Sequence, residues 1–172
     1  FTPNDPALYQ YINLQGVEIS GIEARVRATL GWGFGAIAAI SYAHGTSKIE
    51  GVETPLNSVD PVKISAGLSY ADPDGRFGGL LAVVHSARKD AADVDGDFCV
   101  ATCFRPDSFT VFDLTGWVRI AEHARLRAGL FNITDEKYWW WSDVRGLSAA
   151  SSTLDAYTQP GRNVAVSLSV TF

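Results

Sequence analysis

The sequence predicts an all-β protein: an antiparallel meander of membrane-crossing strands that belongs to a transmembrane β-barrel. Three observations predict it. Apolar and small polar residues alternate strictly in several segments of about ten residues, the length a tilted strand needs to cross a bilayer. The connections between these segments are short and long in strict turn. No run in the 172 residues approaches the roughly 18 apolar residues of a membrane helix.

The last segment is the clearest. Val164, Val166, Leu168, Val170 and Phe172 share one parity, while Ala165, Ser167, Ser169 and Thr171 share the other. Such alternation makes a strand with one apolar and one polar face. Seven segments of this kind are expected, at 15–30 (with a start as early as Tyr9 left open), 34–44, 62–71, 77–88, 109–120, 125–134 and 163–172. In the first, Ile22, Ala24, Val26, Ala28 and Leu30 oppose Glu23, Arg25, Arg27 and Thr29. In the third, Val62, Ile64, Ala66, Leu68 and Tyr70 oppose Lys63, Ser65, Gly67 and Ser69. In the fifth, Phe112, Leu114, Val118 and Ile120 oppose Asp113, Thr115 and Arg119. Charges on the second parity suit a water-filled or plugged lumen.

Alternation alone does not separate a membrane barrel from a soluble β-sandwich. The connections do. Short turns lie around Trp32, at 72–76 and at 121–124; long segments lie at 45–61, 89–108 and 135–162. In a meander, alternate connections fall at opposite ends. One end therefore carries tight turns and the other long loops, as in outer-membrane barrels with periplasmic turns and extracellular loops. Folding alone, this piece is expected to form a curved, twisted open sheet with disordered long loops.

The net charge of −5 and the 47% hydrophobic content give no basic excess, so no nucleic-acid partner is expected. There is no Met and no secretory signal. Seven strands are also an odd number where bacterial single-chain barrels have even ones. The chain is therefore expected to be the C-terminal part of a longer protein, with earlier strands upstream. Cys99 and Cys103 are expected to form a disulfide, as an even cysteine count in an exported protein suggests. With no neighbouring His they do not make a zinc site. The stretch from Asp93 to Asp97 has its Gly in the wrong place for a calcium loop, so it is read as a solvated acidic tip and no metal is assigned. No serine elbow, P-loop or metal triad is present, so no catalytic residue is assigned and no enzyme is expected.

Several stretches carry a family resemblance. The run from Leu126 to Tyr138 (Leu-Arg-Ala-Gly-Leu-Phe-Asn-Ile-Thr-Asp-Glu-Lys-Tyr) resembles the penultimate-strand signature of TonB-dependent receptors. Tyr157-Thr158-Gln159-Pro160-Gly161-Arg162 resembles the approach to their last strand. Ile19-Ser20-Gly21-Ile22-Glu23 and the stretch from Pro55 to Lys63 resemble further segments, in the family's order. The run from Tyr138 to Leu147 looks most like the haem and haemoglobin receptor branch.

The resemblance implies that residues 1–172 are the C-terminal portion of a barrel of about 22 strands closed around an N-terminal plug. The plug and the earlier strands would lie upstream. It implies a home in the outer membrane of a Gram-negative bacterium, and import of haem or another iron complex as transported ligand, with no intrinsic cofactor. The TonB complex would act through the missing N-terminal part. Further partners would be outer-membrane lipid, a haem-carrying protein and the barrel-assembly machinery, for which Phe172 would be the signal. The alternatives are a siderophore or cobalamin receptor, a structural barrel or adhesin without a plug, and a soluble exported sandwich.

Within that frame, Trp139, Trp140 and Trp141 have two readings. One is an interfacial aromatic girdle with loop packing; the other is contact with a porphyrin or a haem-protein partner. Arg145 is a candidate for a haem propionate, against a loop salt bridge with Asp143. His44 and His85, near outer strand ends, are candidate iron ligands, against interface or lumen histidines. His123, in a short turn, is assigned no role.

Overall fold

In the computed structural model, residues 16–49, 51–99 and 101–171 are described. They form one eight-stranded antiparallel sheet. Its strands are β1 (Gly16–Gly31), β2 (Phe34–Ile49), β3 (Val52–Pro55), β4 (Lys63–Ala71), β5 (Phe77–Ser86), β6 (Phe109–Ala121), β7 (Ala124–Phe131) and β8 (Asn163–Val170). The spatial order is β1-β2-β4-β5-β6-β7-β8, with β3 paired to the outer end of β2. A single helical turn, α1 (Trp141–Val144), lies in the last long loop. Phe172 and the possible early start at Tyr9 fall outside the described residues.

The meander matches the expected one with one correction. The stretch 45–61 is not simply a loop. β2 runs on to Ile49 and turns back as β3, with Ile49 opposite Val52. The sheet thus has eight strands where seven were expected. The long loops contact one another through hydrogen bonds.

Register joins the apolar parities into one face. Ile22, Tyr42, Ile64, Val83, Phe112, Leu130 and Val164 all belong to it. Its side chains are unusually bare: Ile22 is 70% exposed and Val166 is 66% exposed. A contiguous apolar face of this size needs an apolar solvent. The opposite face carries Glu23, Arg25, Arg27, Lys63, Asp113, Arg119, Arg125 and Arg127 and is the lumen side.

The edge of the apolar band reports the strand tilt. On β1 the outward parity is apolar from Ile22 inward, but polar beyond it, at Ser20 and Glu18. On β8 the band begins at Val164, whose row runs through Leu130, Leu114, Leu81, Leu68 and Ala36 to Ala28. Ala28 is six residues inward of Ile22. A slide of about 20 Å along the strands over about 29 Å of sheet width is a tilt of about 35°, the value of outer-membrane barrels. At the inner margin Phe34, Tyr70 and Phe77 stack on the outward face, with centroids 4.9 and 5.7 Å apart. These rings, and not the tryptophan run, make an interfacial aromatic girdle.

The short turns are tightly specified. The β1–β2 hairpin has two central residues, Trp32 at φ 49° and Gly33 at φ 84°. Positive φ at both positions suits the right-handed twist of the flanking strands. Gly33 is also pressed on a neighbour: its N–H-bearing turn lies against β4, its carbonyl accepts from the Ala71 N–H at 2.8 Å, and an added Cβ would meet the Ala71 carbonyl. In the β4–β5 turn Asp72 accepts from the Arg76 backbone N–H and from its Nε, both at 3.0 Å.

Gly33→Ala in the complete protein is expected to destabilise it by about 1–2 kcal/mol. Gly16→Ala, which meets nothing within 4 Å, is expected to be neutral. Denaturant midpoints of the two variants check this.

Candidate functional site

Three long segments at the outer end pack on one another and build a rim. The chemistry of the rim begins with Asn57. Its side chain donates to the Asp95 carbonyl at 3.1 Å and accepts from the Asp95 N–H at 2.9 Å. Its own carbonyl accepts from the Trp141 indole N–H at 2.8 Å. One asparagine thus ties the β3–β4, β5–β6 and β7–β8 connections together. Beside it the Lys89 Nζ donates to the Val59 carbonyl at 2.8 Å. Arg105 donates in turn to the Lys89 carbonyl at 3.4 Å.

The Cys99–Cys103 disulfide closes the loop between β5 and β6, with Cα atoms 5.4 Å apart. Next to it the chain pairs with the last loop. The Phe104 N–H donates to the Leu147 carbonyl and the Ala149 N–H to the Thr102 carbonyl, each at 2.8 Å. The acidic stretch is consumed locally. Asp90 and Asp95 cap two short 3-10 turns, and Asp93 faces His44 at 3.4 Å. Among the described residues no cluster of side chains is arranged to hold a metal.

The three tryptophans point to three different partners. The Trp139 N–H donates to the Leu154 carbonyl at 2.8 Å, and its ring meets Phe104 edge-on. Trp140 packs against Phe109 and Tyr138, with the Lys63 Nζ 4.5 Å from its centroid. Phe109 and Lys63 lie on the lumen parity, so Trp140 belongs to the lumen side of the rim. Trp141 is 3% exposed and, with Val144, forms the centre of the rim. All three rings make contacts with loop or lumen-side residues. Trp139 and Trp140 keep part of their ring surface exposed.

Arg145 ends α1 with its side chain exposed and forms no ion pair with Asp143. Asp143 instead accepts from Gln159 Nε2 at 2.9 Å and from Ser142 Oγ. The two histidines sit elsewhere. His44 follows Tyr42 on the outward parity and His85 follows Val83 on it, so both lie just beyond the apolar band. His85 Nδ1 is 2.9 Å from Thr110 Oγ1, which satisfies both groups at headgroup depth. β4 separates the two strands. Both imidazoles lie on the outward parity.

Two residues without a sequence-assigned role matter most. One is Asn57. The other is Asn132, 3% exposed and at φ 49°. Its Nδ2 donates to the carbonyls of Glu136 and Pro160, and its Oδ1 accepts from the Glu136 N–H. Asp135 Oδ1 accepts from the Arg162 N–H at 2.7 Å. The Asn-Ile-Thr-Asp motif is therefore a latch that fastens the start of β8 to the end of β7.

Burial holds the Lys89 ammonium below the usual lysine value of 10.5, with Asp93 and Asp60 pulling the other way. The unfolded loop thus binds more protons than the folded one in the window just under pH 10.5. Rim stability is expected to rise with pH through that window and to lose this rise in Lys89→Met. Denaturant midpoints read by tryptophan fluorescence at neutral pH and at pH 10.5 check it; an equal change in both proteins would contradict it.

Comparison with known proteins now places this geometry. A family model described as "TonB dependent receptor-like, beta-barrel" matches residues 1–133. A probable haemoglobin and haemoglobin-haptoglobin-binding protein of Haemophilus influenzae is 25% identical over 98% of this chain and 19% of its own length. Transferrin-binding protein A of Neisseria meningitidis is 26% identical over 68% of this chain and 15% of its own length. Among solved structures, the copper transporter OprC superposes with a TM-score of 0.71 at 22% identity, over 91% of this chain and 23% of that one. The ferripyoverdine receptor of Pseudomonas aeruginosa gives 0.64 at 14% identity, over 98% and 21%. The chain thus spans about a fifth of the length of the Haemophilus relative and of these two solved structures. With its tilted meander, its apolar outer band and its outer loop rim, this chain belongs to the β-barrel of the TonB-dependent receptors, proteins of the Gram-negative outer membrane.

Proposed function

We propose that the chain is the closing part of an outer-membrane receptor that imports haem, or another iron complex, by TonB-energised gated passage. The observation that carries this reading is the breadth of the match to haemoglobin-binding relatives. It extends over 98% of the chain and so takes in the loops that build the rim. The likeness to copper and siderophore receptors is below 25% identity and speaks for the fold alone.

The interlocked rim suits a large ligand. Loops fixed by a disulfide, a shared asparagine and a buried tryptophan lose little conformational entropy on docking a protein. In this reading a haem-carrying protein rests on the rim and haem passes to the lumen side. Trp139 and Trp140 offer ring surface to porphyrin or carrier, while Trp141 holds the loops in place. Arg145 offers an exposed guanidinium for a haem propionate, a pairing its fork geometry favours. A plug supplied by the upstream part of the protein fills the lumen and links the receptor to the TonB complex. The protein's work is binding and passage, without covalent chemistry.

The complete receptor, titrated with haemin, is expected to shift the Soret band, and Arg145→Ala is expected to weaken binding about fivefold. A receptor that left the Soret band unmoved yet bound a ferric siderophore would overturn the haem assignment and favour the siderophore alternative.

A further inference from the structure

The outward face of the sheet is not evenly filled. On β2, Ala36 and Ala38 lie between Phe34 and Ile40 on the outward parity, and on β4 Ala66 lies between Ile64 and Leu68. Register sets Ala66 opposite Ala38, and Ala36 opposite Ala28 of β1. Larger side chains stand around these alanines, so an open recess of about 420 Å³ remains over them. Val26 borders it on β1, Leu81 and Val83 on β5, and Phe112 on β6.

The slide of the apolar band fixes how the recess lies in the membrane. Its β1 end, at Val26 and Ala28, is four and six residues inward of Ile22. At a tilt of about 35° this is about 11–17 Å below the outer margin, near the middle of a band about 25 Å tall. At its other end Val83 and Phe112 stand one outward step inside His85 and Thr110, which lie just beyond the band. The recess therefore slopes from outer headgroup depth to the middle of the bilayer. An empty recess forfeits dispersion contacts along its lining. Lipid tails are as apolar as its walls, so shape alone holds a chain only weakly. The polar end supplies direction. His85 Nδ1 is engaged by Thr110 Oγ1 at 2.9 Å, which orients the ring and leaves Nε2 for a second partner.

We propose that this recess is a lipid site: it holds one acyl chain of an outer-leaflet lipid, with an oxygen of that lipid's headgroup on His85 Nε2. The occupant follows from the placement. The recess opens onto the lipid side of the sheet, within the apolar band, and its polar end is at the depth of the outer headgroups. A concave apolar surface with one oriented polar group at its mouth is the general form of a small-ligand site. In the Gram-negative outer membrane the outer leaflet offers lipid A, a phosphorylated glycolipid with several acyl chains. The proposal goes beyond the receptor reading and rests on the membrane placement of the sheet, independently of plug, cargo and rim.

The test uses the complete protein in detergent micelles, titrated with lipid A and followed by native mass spectrometry. The double variant Ala38→Leu/Ala66→Leu fills the recess, and His85→Ala removes the headgroup contact. Lipid A is expected to bind with one tightly retained copy. Its affinity should fall on the order of tenfold in the filled variant and about fivefold in His85→Ala. Leu168→Ala, on the outward face of β8 and away from the recess, should leave it unchanged. Normal heat-modifiable migration on gels establishes that each barrel has folded, and His85→Ala serves if the double variant does not fold. Unchanged lipid A binding in folded variants would overturn the proposal. So would equal retention of phosphatidylethanolamine, which would make the recess an unselective part of the lipid boundary. A dimer that the double variant breaks would also overturn it, by making a second copy the occupant. Haemin titration of the same variants reads the cargo assignment separately, because none of the substitutions touches the rim.

Discussion

Every backbone N–H and C=O that enters hydrocarbon must find a partner, because no water is there to take its place. The rest of this structure follows from that constraint. A chain with no membrane-length apolar helix among its described residues meets it through strand-to-strand ladders. Once the ladders form, successive side chains alternate between lipid and lumen, and the sequence must alternate with them. The tilt then sets where each strand enters the lipid. That is why the apolar band slides by six residues from β1 to β8, and why β1 and β2, of 16 residues each, stand clear of the membrane at their outer ends.

Beyond the membrane the constraint changes. Outward positions such as Ser20, His44 and Thr46 face water and are polar, while the inward side at the same level packs against loop residues. Gly45 shows the crowding: an added Cβ would fall 2.8 Å from Val59 and 3.3 Å from Leu56. The rim is thus a small protein core of its own, built around Val144, Trp141, Val59, Phe109 and Cys103.

The sheet was legible in the sequence because a period of two is local. Segments such as 163–172 and 109–120 carried their own pattern, and the alternation of connection lengths oriented them. β3 escaped because four residues after a turn are too short to declare a period, and because the outward parity changes character beyond Ile22 and Tyr42. The family motifs at 126–138 and 157–162 were legible as patterns, but their physical sense, a latch through Asn132 and Asp135, needed the fold. The rim was hidden altogether. Asn57 and Trp141 are 84 residues apart, and Asn57 and Asp95 are 38 apart. No local pattern encodes such contacts, so the loops read as disordered. The histidines teach the opposite lesson. Counting by twos from Tyr42 and Val83 places His44 and His85 on the outward parity without any coordinates.

The central claim is that one parity of this sheet faces lipid and that it does so only inside the sliding band. Single spin labels at successive positions of the complete receptor in bilayers test it most directly. The account predicts that labels at 164, 166 and 168 are open to oxygen from the lipid phase, whereas 165 and 167 are not. On β1, labels at 22 and 26 should be lipid-exposed and a label at 18 should be accessible to a water-soluble reagent. Lipid exposure at 18 equal to that at 26, or no alternation along β8, would contradict it.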